Sequence, residues 1–213
     1  MDASTVFTSP RPALLRAWHG LNGVVILGLL GTVLLRKTVF NYRTNGPLIE
    51  AKVAAVGGAV STDGAVAVAK LLRDQMWEWH LALGVALAVL FVVRVVVAVL
   101  DPELVPFRAF ARAVSSFRGL PSAARSTALH PMLVKLLHGA FYALLVAMVA
   151  SGLVLLFKDN LGLAKEAVSP VKEAHELMMW GVAAFVPLHV VGVVVAELRG
   201  ERGLVSQMIH GRT

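Results

Sequence analysis

Cysteine is absent, which excludes disulfides, thiolate metal sites, cysteine nucleophiles and the C-x-x-C-H attachment of c-type haem. Charge is scarce too: charged residues make up 15% of the chain, against roughly 25% in a typical soluble domain. That excludes a disordered chain, a nucleic-acid-binding module and most soluble enzymes. What remains is apolar, with 57% hydrophobic residues and a mean hydropathy of +0.74. The net charge is +7, and in so apolar a chain it reads as Lys and Arg flanking membrane segments. The 213 residues suit one domain.

A helix needs about 20 mostly apolar residues to cross a bilayer core. Four stretches qualify, at about 18–35, 79–100, 133–157 and 175–196. None alternates with period two, so a barrel is excluded, and backbone satisfaction in lipid leaves an all-α four-helix bundle. The first span follows Arg11 and Arg16 as a signal peptide would, but it ends in Leu34-Leu35-Arg36-Lys37 with no small-x-small cleavage site, and is expected to be retained. The loop 36–78 carries Asn45-Gly46-Pro47, Gly57-Gly58 and Asp63-Gly64 as turn signals, with short helices expected at 48–56 and 65–76. The basic loop 101–132 spaces Phe107, Phe110, Val114 and Phe117 helically, with Arg108, Arg112 and Arg118 on other faces. That pattern fits an interfacial helix or an ordinary amphipathic connector. The third loop, 158–174, is short. The basic second loop favours cytoplasmic termini, while Arg36, Lys37 and Arg43 oppose that choice.

Ionisable groups inside a membrane are costly and point to function. Of seven histidines, five lie within or beside the spans: His19, His80, His138, His175 and His189. His130 and His210 fall in a loop and a tail and read as solvated. His175 and His189 are 14 residues apart, about 40° short of four full turns and about 21 Å along the axis. The fourth span therefore shows two imidazoles on one face, one near each membrane surface. With neighbouring spans antiparallel, His80 shares the outer level with His175, and His19 the inner level with His189. Two stacked bis-histidine sites suit two non-covalent b-type haems. Zinc suits them less, because no carboxylate or cysteine joins these histidines. Taken singly, each histidine also reads as a hydrogen-bonded packing residue.

His138 lies near the inner level. It is expected to replace one inner ligand, to stand beside a quinone as hydrogen-bond donor or proton relay, or simply to pack. Arg16 precedes His19 by three residues on the same face and suits a haem propionate. Arg94, 14 residues after His80, either clamps a propionate or snorkels to the surface. Gly20, Gly23, Gly84, Gly139, Gly181 and Gly192 would admit a flat macrocycle or a neighbouring helix. Pro187, two residues before His189, would adjust that ring's aim.

These residues resemble the prokaryotic cytochrome b561 family and the related b-type cytochrome subunits of membrane-bound nickel-iron hydrogenases. The resemblance rests on Arg16-x-x-His19, His80 with Arg94, His138-Gly139, and His175-Glu176 with His189. The tail from Glu201 to Met208 is similar to the segment after the last span in hydrogenase-type members. It implies one dihaem domain over 1–213 in the bacterial inner membrane. His19 and His189 would ligate the cytoplasmic-side haem, and His80 and His175 the periplasmic-side haem. Loop 36–78 would be periplasmic, and is longer than in compact members. Members pass electrons between a periplasmic redox protein, or a hydrogenase-like subunit, and the quinone pool.

Three functions follow as expectations. The first is an electron-transfer subunit, with a periplasmic partner docking on the first and third loops. The second is a stand-alone superoxide:quinone oxidoreductase, in which Lys158, Lys165 and Lys172 would steer the anion or merely solvate their loop. The third is a haem-free scaffold or transporter, which the paired imidazole depths and the shortage of mid-membrane carboxylates oppose. A homo-oligomer is compatible with each.

Overall fold

A computed structural model describes residues 13–100 and 122–198, with isolated positions at 108, 111–112, 114–116, 119, 206 and 208. Every regular element among the described residues is helical: α1 (Ala13–Lys37), α2 (Tyr42–Ala55), α3 (Thr62–Leu100), α4 (Ser122–Leu156) and α5 (Lys165–Leu198). The helices α1, α3, α4 and α5 are each long and apolar enough to cross a membrane. On α3, Val85, Val89, Val92, Val96 and Val99 stay exposed at helical spacing, an apolar stripe that suits lipid.

Local chemistry sets the helix ends. Arg36 and Lys37 fill the last turn of α1, where cations complement the exposed carbonyls. Asn41 caps α2, its side chain accepting the Arg43 N–H at 3.0 Å. At the other end of α2, Gly57 takes φ +81°, and the Gly57 and Gly58 amides return to Ala54 and Val53 carbonyls at 3.0 Å each. That is a left-handed cap for which glycine is the natural residue. Ser61 then caps α3 by accepting the Gly64 N–H at 3.1 Å.

Two of the expected loops are shorter than the sequence suggests. The stretch expected as a separate helix at 65–76 is continuous with the second span, because no Gly or Pro stands between Ala65 and Trp79 to end it. Likewise α5 begins at Lys165 and runs through Pro170 and Pro187. Gly162, at φ +61°, turns the chain before it. The expected interfacial helix rests on Phe107, Phe110, Phe117 and Arg118, which lie outside the described residues. So does the 201–208 tail, save Ser206 and Met208.

The chain divides into two units, residues 1–20 with 89–213, and residues 21–88. In the first unit α4 and α5 pack along one another. His138 meets His189, Phe141 meets Phe185, and Ser151 meets His175. Numbers rise on one helix as they fall on the other, so the pair is antiparallel. Gly181 makes the approach close: a Cβ there would stand 3.0 Å from Leu144 Cδ2. In the second unit the later part of α1 lies against the first part of α3, with Gly28 facing Leu83, Thr32 facing His80 and Arg36 over Trp77.

Candidate haem-ligating histidines

His175 and His189 both face α4, one near each end of the helix pair, as their spacing on one helix requires. The His189 ring is the centre of an aromatic group. His19 from α1 lies 6.1 Å away centre to centre, tilted by 55°. His138 stands edge-on at 5.4 Å. Phe185, one turn earlier on α5, stacks on His189 at 5.5 Å, and Phe141 stacks on Phe185 at 3.9 Å. The structure therefore brings His19, His138 and His189 together.

The neighbours of His138 narrow its chemistry. Its Nδ1 lies 2.7 Å from the Val134 carbonyl one turn back. A carbonyl only accepts, so Nδ1 carries the proton. In the neutral ring Nε2 is then an acceptor, suited to taking a proton from a hydroxyl. Donation to a quinone carbonyl would require the imidazolium.

His175 lies lower on α5, with Ser151 Oγ 2.8 Å from its Nδ1. A Cβ on Gly152 would stand 3.4 Å from its Cε1. His80, in the other unit, is matched by Thr32, whose Oγ1 lies 2.9 Å from its Nδ1. Trp77 stacks on the His80 ring at 5.1 Å and 6°, and the Arg36 guanidinium covers Trp77 at 5.0 Å.

Arg94 is 8% exposed, with its Cζ 5.8 Å from the centres of both the Trp18 and Tyr142 rings. It therefore does not snorkel. Trp18, next to His19, is fixed by donating its indole N–H to the Leu90 carbonyl at 2.7 Å. Arg16 is half-buried one turn before His19. Sequence reasoning missed Thr32, Ser151 and Asn22. Asn22, three residues after His19, is 7% exposed, and its Oδ1 has no hydrogen-bond partner among the described residues. A polar residue inside an apolar span was the available signal.

These residues suit haem better than a bare metal ion. Among the described residues no group of three or more such side chains is placed to hold a metal ion, whereas a haem iron asks the protein for only two axial ligands. Gly23, Gly84 and Gly192 come one turn after His19, His80 and His189, and a Cβ on any of them would meet nothing within 4 Å. Gly181 instead serves helix packing.

Cations cluster outside the spans. The Tyr42 ring at the start of α2 is approached by Arg73 at 5.0 Å, Lys70 at 5.5 Å and Arg43 at 5.8 Å. The Arg43 Nε–H donates to the phenol oxygen at 3.4 Å. That hydrogen bond, and then the Arg43 charge, holds the Tyr42 phenol below its ordinary value. Because the acid's pKa is depressed on folding, any stabilisation is present above the ordinary tyrosine value of about 10 and is lost as pH falls through the lowered one. The chain has two tyrosines, so a Tyr142→Phe variant isolates the phenol of Tyr42. Its tyrosinate absorbance should rise at lower pH than in a free peptide. Adding Arg43→Gln should move the midpoint back up, and an unmoved midpoint would contradict the assignment.

A family model described as prokaryotic cytochrome b561 matches residues 11–211. No curated protein and no solved structure matches the chain.

Proposed function

The chain belongs to the prokaryotic cytochrome b561 family, and from that premise we propose a dihaem electron carrier between a periplasmic redox partner and the quinone pool. The family and the four apolar helices make it a membrane b-type cytochrome of electron transfer. In the proposal, His19 and His189 hold the cytoplasmic-side haem, and His80 and His175 the periplasmic-side haem. Both termini are cytoplasmic, in a bacterial inner membrane. Bound haem supplies a one-electron carrier; the protein supplies axial nitrogens, burial and charge.

The observation that carries this reading is the His19–His189 pair. An imidazole nitrogen sits about 2 Å from a first-row metal, so two axial rings on one iron have centres about 6 Å apart. The observed 6.1 Å matches that span, whereas His138 is closer to His189 at 5.4 Å. Arg94, buried beside Trp18, supports a propionate partner at the same level. The sequence depths of His80 and His175 support the second haem.

Lys70 and Arg43 beside Tyr42 support an acidic partner on the first loop, although Arg73 there pairs with Asp74 at 2.6 Å. The superoxide reading gains no comparable support. Lys158 pairs with Asp159 at 2.6 Å and Lys172 with Glu176 at 3.9 Å, which weakens the positive field of the third loop.

The test is haem content in protein expressed with ample haem. A low-spin bis-histidine spectrum with about two haems per chain is expected. His175→Ala should remove the outer haem and leave the inner one. A chain without a Soret band, or a His175→Ala variant with unchanged content and spectrum, would overturn the reading.

A further inference from the structure

We propose that Thr32 and Ser151 are positioning residues that fix the tautomer and orientation of the His80 and His175 imidazoles and lower the reduction potential of the iron these rings serve. The inference rests on the dihaem reading above. It goes further by giving two hydroxyls, on two different helices, one and the same task.

The argument is an inventory of protons. A hydroxyl has one proton to donate and lone pairs to accept with. Thr32 Oγ1 donates to the Leu29 carbonyl of its own helix at 2.7 Å. Its contact with His80 Nδ1 at 2.9 Å is therefore made by the ring N–H donating to the hydroxyl oxygen. Ser151 repeats the arrangement on α4. Its Oγ donates back to the Ala147 carbonyl at 2.7 Å, with Met148 at 3.2 Å. The lone pair left over faces His175 Nδ1 at 2.8 Å.

In both histidines Nδ1 thus carries the proton, and Nε2 keeps its lone pair for a metal. Thr32 is 8% exposed, so little water competes for its lone pair. A ligating imidazole that donates its other N–H is held in one orientation and made a stronger base. Stronger donation favours ferric over ferrous iron. Among the described residues neither His19 nor His189 makes such a bond, so the effect belongs to the outer pair.

The experiment uses the full chain in detergent or nanodiscs. Thr32→Val keeps the shape and removes the acceptor; Ser151→Ala does the same for His175. Each should shift the one-electron equilibrium of the outer haem about fivefold towards the reduced form, roughly 40 mV upward at 59 mV per decade. The low-spin EPR g values of that haem should move as its ligand ring turns, while the inner haem keeps its potential. Thr32→Ser and Ser151→Thr should restore both readouts. Haem loss in Thr32→Val and Ser151→Ala, with retention in the hydroxyl-keeping pair, would support the same role more strongly.

In haem-free protein, nitrogen NMR should show both rings protonated at Nδ1. Protonation at Nε2 would overturn the proposal. So would a variant that holds two haems with the outer potential and g values unchanged, and the dihaem reading would then survive. A wild-type chain with no haem would instead sink the dihaem reading, and this inference with it.

Discussion

Replacing His189 by alanine should cut haem content from about two per chain to about one and leave the outer haem's spectrum intact. Three rings, His19, His138 and Phe185, pack on His189. In the dihaem proposal the substitution removes an axial nitrogen, and it removes the stacking surface for Phe185. No nitrogen on α5 can replace it, because His175 lies 14 residues away, about 21 Å down the helix. His19→Ala should lose the same haem. His138→Ala should keep two, because the 6.1 Å between the His19 and His189 ring centres already matches the span of two axial rings on one iron. A His138→Ala protein that lost the inner haem while His19→Ala kept it would transfer the ligand role to His138.

How far all this could be read in the sequence depends on the kind of information each feature carries. The spans were legible because hydropathy over twenty residues needs no partner. Their helical extent was less so: hydropathy marks the lipid-crossing part, while α3 starts at Thr62 and α5 at Lys165 because nothing stops the helix earlier. The common face of His175 and His189 was legible from helical period alone. The hydroxyls were not. Thr32 stands 48 residues from His80, and Ser151 stands 24 from His175, so only the register of two packed helices brings them together. The glycines divide for the same reason. Gly181 meets Leu144, whereas Gly23, Gly84 and Gly192 have open space beside them, and composition cannot separate the two cases. Arg94 shows the limit most clearly. A cation near the end of a span is equally compatible with snorkelling or burial until its neighbours are known, and the Trp18 and Tyr142 rings are among them.

The burial of Arg94 makes its pairing with a haem propionate testable. A guanidinium withdrawn from water is costly unless an anion meets it, and losing one partner of a buried ion pair costs several kcal/mol. Trp18 and Tyr142 offset part of the cost through their ring faces. If a haem propionate pairs with Arg94, the apolar side chain of Arg94→Met should weaken the hold on haem. The loaded chain should lose haem to an apomyoglobin acceptor roughly a hundredfold more readily, which is about 3 kcal/mol. Arg94→Lys keeps the charge but not the planar fork, and should fall between the two. Haem dimethyl ester, whose propionates are blocked, separates charge pairing from mere packing. Wild-type protein should hold the ester about as weakly as Arg94→Met holds haem, and Arg94→Met should not distinguish the two ligands. If Arg94→Met weakens haem and ester equally relative to wild type, the arginine does not act through the propionates and the pairing fails.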